Sequence, residues 1–353
     1  MKKDDATTPR AGEELNEKAL KDFLRARLPT PFTEMEVLQF PAGSSNLTYL
    51  VRLGSTQYVL RRPPFGNTVR TAHDMKREFE VLSKLAFVYP PAPEPILFCD
   101  DESVIGAEFY LMEKRDGVVI RGQVPALFAA SKEVQTKLCR SFMDNLARLH
   151  SVNYTAAGLA DLGKPEGYNR RQVEGWTQRY IAAKTEEHTE LEAAMKWLGE
   201  NVPVEAGASL IHNDYKFDNI MLDPEDLTRI IAVLDWEMVT IGDPLMDLGT
   251  TLGYWMSPKF GEELMNMPFN PRILMENISR RELVELYASA RGIAQPDMLF
   301  YYVFGTFKIA VIAQQIYARF VKGMTKDERF ANFDRFVAAL GRISNSALER
   351  GSI

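Results

Sequence analysis

The sequence predicts an α+β protein built as two lobes, a small β-rich lobe at the N-terminus and a larger, mostly helical lobe after it. Three observations carry this. Period-two alternation of apolar residues is concentrated before residue 113, whereas helical periodicity dominates beyond residue 118. Between residues 210 and 236, two short β-type runs interrupt the helical pattern. The length of 353 residues exceeds the roughly 150 of a typical domain and fits about two.

Residues 1–29 form a polar extension and a leading helix, in which Leu20, Phe23, Leu24 and Leu28 recur at helical spacing until Pro29 stops it. Residues 30–113 form the β-rich lobe. Leu47, Tyr49 and Val51 alternate, Gly54 and Ser55 make a two-residue turn, and residues 58–62 return as the second strand of a hairpin. A helix over 70–86, a proline-rich loop over 89–95 and strands over 96–99 and 108–113 complete the lobe. Residues 114–117 read as a hinge. Residues 118–353 form the second lobe, with helices over 134–150, 171–183, 281–291 and 299–322. Its β interruption is a hairpin of 219–222 and 230–234 around the turn that opens Asp223-Pro224-Glu225-Asp226.

Composition narrows the function classes. A formal net charge of −6 and a pI near 5.5 supply no broad basic footprint for nucleic acid. Cys99 and Cys139 stand far apart, which excludes a disulfide scaffold or a Cys-x-x-Cys site and fits a reducing compartment. Lys2 and Lys3 are followed by acidic residues rather than an apolar run, unlike a secretory signal. The run 301–311, broken by Lys308, is too short to span a bilayer and reads as a buried helix. A cytoplasmic protein that binds neither nucleic acid nor membrane is expected, with its oligomeric state left open.

The chemistry is concentrated in His212-x-Asp214-x-x-x-x-Asn219, the spacing of a kinase catalytic loop, with Lys216 two residues after the aspartate. Phosphoryl transfer needs a carboxylate to orient the attacking hydroxyl and accept its proton, here Asp214. It also needs hard oxygen donors for Mg²⁺ on the nucleotide phosphates, here Asn219 and Asp235, which the hairpin is expected to bring side by side. Lys216 neutralises charge on the γ-phosphate. His212 is expected to hold the loop rather than act as base. Asp218 and Glu237 fit either a supporting carboxylate or a cap.

The first lobe should supply a cation for the phosphates and a helix carboxylate to hold it. Arg61 ends the run 58–61, and Glu78 lies on the apolar face defined by Met75, Phe79, Leu82 and Ala86. A carboxylate there must find a cation, so Glu78 should pair with Arg61; the alternative is that it reaches round to Arg77 or Lys76. Arg62 points to the opposite face of its strand. Ser44 and Ser45, in Gly43-Ser44-Ser45-Asn46, are candidates to cover the phosphates, although an ordinary β-turn reads the same way. Glu113 and Arg115, at the hinge whose backbone is positioned for adenine, are counted with the nucleotide-binding residues.

These residues resemble the aminoglycoside phosphotransferase family of kinase-like enzymes, and more closely its branch fused ahead of acyl-CoA dehydrogenase domains. The resemblance runs from about residue 40 to 255 and rests on residues 43–49, 58–64, Arg77-Glu78-Phe79, residues 106–113 and 146–150, Arg171-Gln172 with Trp176, His212 to Asn219, Asp235-Trp236-Glu237 and Gly242-Asp243-Pro244 with Asp247-Leu248. It implies a two-lobed protein-kinase-like fold, ATP and Mg²⁺. It also implies Asp214 as catalytic aspartate, Asn219 and Asp235 as metal ligands, and Arg61 with Glu78 as the phosphate-clamping pair. Arg61 departs from the usual lysine. Asp243 and Asp247 read as loop and helix-cap supports. The acceptor is expected to be a small-molecule hydroxyl other than an aminosugar, because residues 255–300 carry six acidic and five basic side chains, too balanced for a polycation. Trp255, Met256, Phe260, Met265, Met267, Phe269 and Met275 fit an apolar or acyl-bearing compound, or simple helix packing. The alternatives are an aminoglycoside antibiotic phosphotransferase, a nucleotide-binding regulatory pseudo-kinase and a metal-dependent phosphohydrolase.

Overall fold

Side chains alternate between the two faces of a strand, so along residues 56–62 Leu60 takes one face and Val59 and Arg61 the other. A computed structural model describes residues 6–41, 46–65, 74–120, 125–257, 259, 264, 269–325 and 327–353. It divides into two compact units. The first comprises residues 1–118, 223–225 and 231–237, and the second 119–222, 226–230 and 238–353.

The first unit holds α1 (Glu17–Arg27), β1 (Met35–Gln39), β2 (Leu47–Leu53), β3 (Thr56–Arg62), α2 (Met75–Leu85), β4 (Pro95–Cys99) and β5 (Phe109–Glu113). The strands form one antiparallel sheet in the order β1-β2-β3-β5-β4. The β2–β3 turn needs Gly54, whose φ of +59° is left-handed. Asn16 caps α1, which buries Leu20 and Leu24 against Tyr49, Leu60, Phe109 and Leu111. Asp74 caps α2 by accepting the Arg77 amide, so this helix begins at Met75; residues 66–73, where an earlier start was expected, lie outside the described residues. Helix α2 packs on the strand face of opposite parity, where Phe79 meets Phe98 and Tyr110 at centroid separations of 5.7 and 6.2 Å. Register places Arg61 opposite Tyr110 on that face.

The second unit is mostly helical. It contains α3 (Ala126–Ala130), α4 (Lys132–His150), α5 (Tyr168–Ala183), α6 (Thr189–Glu200), β6 (Ser209–Ile211) and β7 (Ile220–Leu222). Strand β8 (Ile230–Val233) begins in this unit and ends in the first. Then come β9 (Thr240–Gly242), α7 (Pro244–Gly253), α8 (Arg272–Asn277), α9 (Arg280–Arg291), α10 (Leu299–Val321) and α11 (Phe333–Arg350). The antiparallel β6–β9 pair was not anticipated, because three residues per strand carry too little alternation to register. Helix α10 is the core. Among the described residues it is long and apolar enough to cross a membrane, yet it is mostly buried inside its own unit, packed by α5, α7 and α11.

Two glycines set the approach of α7 to α10. A Cβ on Gly249 would lie 2.2 Å from the Tyr301 carbonyl oxygen, and one on Gly305 2.1 Å from that of Gly249. Backbone on both sides cannot yield cheaply. Gly249→Ala and Gly305→Ala should therefore each lower unfolding free energy by about 1–3 kcal/mol or more in urea titrations. Gly199→Ala, in α6 with open space at its Cβ, should instead be neutral or stabilising by up to about 1 kcal/mol.

Candidate active site

In the first unit, strand parity and the apolar face of α2 bring a guanidinium and a carboxylate together out of water. Arg61 Nε lies 3.5 Å from Glu78 Oε2, an ion pair looser than a hydrogen bond, and Arg61 Nη2 donates to Asp235 Oδ1 at 3.0 Å. Glu78 Oε1 accepts the Trp236 amide at 3.3 Å, tying α2 to the segment that carries Asp235. Burial opposes charge on Arg61, but Glu78, Tyr110 and Asp235 outweigh it and hold the guanidinium well above its ordinary pKa. Arg62 is spent on the other face, donating to the carbonyls of Pro63 and Ile105 and stacking 3.6 Å over Phe65. Glu237 accepts from Asn46 Nδ2 at 2.8 Å, and its carbonyl accepts from Arg77, a supporting role.

In the second unit, the loop after β6 is fastened from below by α7. Asp247 is fully buried; its Oδ2 accepts the His212 amide and its Oδ1 the Asn213 amide, both at 2.7 Å. His150 Nε2 contacts the same carboxylate at 3.1 Å, while its Nδ1 meets the Tyr287 hydroxyl at 2.7 Å. Burial alone would raise the Asp247 pKa, but His150, His212 and these amides hold it below the ordinary carboxylate range. His212 Nδ1 accepts the Asp214 amide at 3.3 Å and is fully buried, so it braces the loop. Asp243 caps α7 through the Leu245 amide and also accepts from Asn169 and the Ala206 amide.

Asp214 stands at the head of this loop. Its Oδ1 accepts the Tyr254 hydroxyl at 2.7 Å; its Oδ2 accepts Asn219 Nδ2 at 2.9 Å and a very close contact from Lys216 Nζ. Burial pushes its pKa up, and Lys216 with Tyr254 pulls it below the usual value, leaving a carboxylate. Lys216 is itself packed over the rings of Tyr254 and Phe269.

Each unit, taken by itself, carries an oxygen donor of the kind a hard cation takes. Asn219 uses its amide nitrogen on Asp214, which leaves the amide oxygen as a ligand, and Asp235 carries a carboxylate. Among the described residues no group of three His, Cys, Asp or Glu side chains forms a metal cage. Such a cage is not required of Mg²⁺, which takes one or two protein oxygens together with substrate phosphates.

Other expected residues fare differently. Ser44 and Ser45 lie outside the described residues. Arg115 spends its donors on the carbonyls of Pro90, Ala92 and Ile231 and on Glu113, whose carboxylate also accepts the Glu94 amide. These two side chains hold the chain together, so a nucleotide contact here would fall to the backbone. Trp255, Met256 and Met275 are buried, with exposures of 1, 2 and 6%, as the helix-packing reading expects; Phe260, Met265 and Met267 are outside the described residues.

Three positions outside the expected set touch this loop. Thr251 donates to the Tyr215 carbonyl at 3.0 Å and Tyr254 to Asp214. With Asp247 they form a polar stripe at i, i+4 and i+7 on an otherwise apolar helix end, a signal that was available. Lys308, noted only as a break in an apolar run, donates to the Asn213 carbonyl at 2.7 Å.

Glu78→Ala should destabilise the fold by roughly 3–5 kcal/mol, because Arg61 loses a buried partner, whereas Arg61→Met with Glu78→Leu should cost markedly less in the same denaturant titration. Lys308 supplies a pH test. Burial lowers its pKa from 10.5 to about 8, so between those values the unfolded chain holds a proton that the folded chain has released. The stability of the wild type relative to Lys308→Met should therefore rise with pH through that window.

Comparison with known proteins places this geometry. A model of the phosphotransferase enzyme family matches residues 36–272. Acyl-CoA dehydrogenase family member 11 of Homo sapiens is 36% identical over 339 residues, covering 92% of this chain and 42% of that protein, so the chain spans about two-fifths of this relative. A solved structure from Ralstonia eutropha JMP134, provisionally named an aminoglycoside phosphotransferase, aligns with a TM-score of 0.78 and 30% identity over 94% of this chain and 99% of its own. Choline kinase from Cryptosporidium parvum aligns with a TM-score of 0.66 and 14% identity over 95% and 97% of the two chains, a likeness of fold. The family match covers well over half of the sequence and includes the 212–219 loop, Arg61, Glu78 and Asp235: the chain belongs to the phosphotransferase enzyme family and has its protein-kinase-like fold.

Proposed function

We propose that this phosphotransferase moves the γ-phosphate of ATP to a hydroxyl of a small molecule that is not a polycationic aminosugar. The observation that carries the reading is the Asp214 carboxylate, held on one oxygen by Tyr254 and on the other by Asn219 and Lys216, on a loop bolted to Asp247.

In this reading Asp214 orients the acceptor hydroxyl and takes its proton as the new P–O bond forms and the bond from the γ-phosphorus to the β,γ-bridging oxygen breaks, releasing ADP. Tyr254 and Asn219 fix the carboxylate so that little reorganisation is needed at that moment. Lys216 turns from Asp214 toward the transferring group and offsets its charge. Arg61, kept protonated by Glu78 and Asp235, binds nucleotide phosphate. Asn219 and Asp235 would hold Mg²⁺, which when bound offsets charge on the phosphate oxygens. The near balance of charge over residues 255–300 supports an acceptor other than an aminosugar.

Asp214→Asn should lower kcat by about 10²–10⁴-fold while leaving the KM for ATP and the unfolding midpoint near wild type. Equal turnover in both proteins would remove Asp214 from its role. Tight, saturable phosphorylation of kanamycin-type aminosugars would overturn the acceptor class, and phosphate release from ATP unchanged by any acceptor would identify a hydrolase.

A further inference from the structure

The second unit contains a cavity of about 410 Å³ lined by Lys164, Arg171, Arg179 and Lys308, by Trp176 and Asn213, and by four uncharged neighbours. Four cations and no carboxylate line it. Among the described residues none of the four makes an ion pair with an acidic side chain, an unusual concentration in a chain whose net charge is −6.

The cations are placed by the fold. Arg179 lies over the Trp176 ring at 4.5 Å, and Lys308 Nζ lies 5.6 Å from the same ring, so the indole orients both. Lys308 is 2% exposed and reaches the cavity from α10. Arg171 donates to the carbonyls of Lys164 and Glu166, which braces the turn bearing Lys164. Gly163, where a Cβ would sit 2.4 Å from Thr240 Oγ1, lets that turn press against β9. Lys164, Arg171 and Arg179 are exposed and Lys308 is buried, so an anion entering the cavity would meet one desolvated cation and three at its mouth.

Asn213 connects the cavity to the chemistry. It forms part of the wall, accepts from the Tyr168 hydroxyl at 3.2 Å, and is joined by one peptide bond to Asp214.

We propose that this cavity is the subsite for an anionic group, carboxylate or phosphate, of the acceptor, so that the enzyme phosphorylates hydroxyl compounds carrying negative charge. This rests on the phosphotransferase reading and adds the charge class of its substrate. A polycation would meet four like charges at the same place.

The test uses one hydroxyl scaffold with different charges: glycerate, glycerol 3-phosphate, glycerol and choline as acceptors with ATP. Binding is read separately from turnover by Trp fluorescence in titrations with glycerate and inorganic phosphate, with Trp176→Phe identifying the reporting indole. Wild type should prefer glycerate or glycerol 3-phosphate, and the preferred one identifies the anion. Arg179→Glu, at an exposed position that tolerates change, should raise the KM for that acceptor at least tenfold and leave the KM for ATP unchanged, and Arg179→Lys should restore part of the loss. A saturable anion response that Arg179→Glu weakens, without transfer to any acceptor, upholds the anion site and defeats the phosphotransferase reading. Transfer that favours glycerol or choline, or anion titrations without saturation or without dependence on Arg179, overturns the subsite.

Discussion

The buried carboxylate of Asp247 is the constraint on which the catalytic loop depends. Its two oxygens accept consecutive backbone amides, of His212 and Asn213, at 2.7 Å each, and the side chain is fully buried. Two short charge-assisted bonds to adjacent peptides fix both the position and the rotation of the chain just before Asp214. His150 and Tyr287 continue the network from α4 and α9, so three helices orient one carboxylate. Removing it would leave two buried N–H groups without acceptors as well as a loop without a fixed direction.

That fastening explains an unfavourable backbone. Asn213 has φ of +66°, in the left-handed region that costs most side chains roughly 1 kcal/mol or more, and Asp235 has the same value. They are the two described non-glycine residues with positive φ. Asn213 is held there by Asp247 on its amide, Lys308 on its carbonyl, and Tyr168 and the Met238 carbonyl on its side chain. Asp235 is held by Arg61 on its carboxylate and by Glu78 on the following amide. Strain at both places is over-determined by buried polar contacts, and each strained residue either adjoins or is a group assigned to the chemistry.

Much of this was legible because the signals are local. Loop spacing pointed to Asp214, Lys216 and Asn219, and helix phase put Glu78 on a buried face where only a cation could satisfy it. Strand parity separated Arg61 from Arg62. The missing parts are non-local. Nothing in residues 109–115 says that Glu113 and Arg115 will be consumed by each other and by distant carbonyls, and Trp255, Met256 and Met275 look alike in a core and in a ligand wall. Lys308 and Trp176 are 132 positions apart in sequence, so the cavity they line became visible only when α5 and α10 were packed. The −6 charge is likewise a sum that conceals a cluster of opposite sign.

Arg61 in place of the lysine usual to this motif follows from the geometry around it. The guanidinium addresses two carboxylates through different nitrogens, Nε toward Glu78 at 3.5 Å and Nη2 toward Asp235 at 3.0 Å. A lysine ammonium is a single point that must divide itself between two acceptors, whereas the planar fork holds both directions at once. It also stays protonated under burial that would lower a lysine pKa, so the cation persists whether or not a phosphate is bound. The fork thereby couples α2, through Glu78, to the Asp235 segment that Glu78 also grips by the Trp236 amide. Glu78 thus contacts both the cation assigned to the nucleotide and the amide next to the carboxylate assigned to the metal, so one buried side chain ties the two assigned groups together.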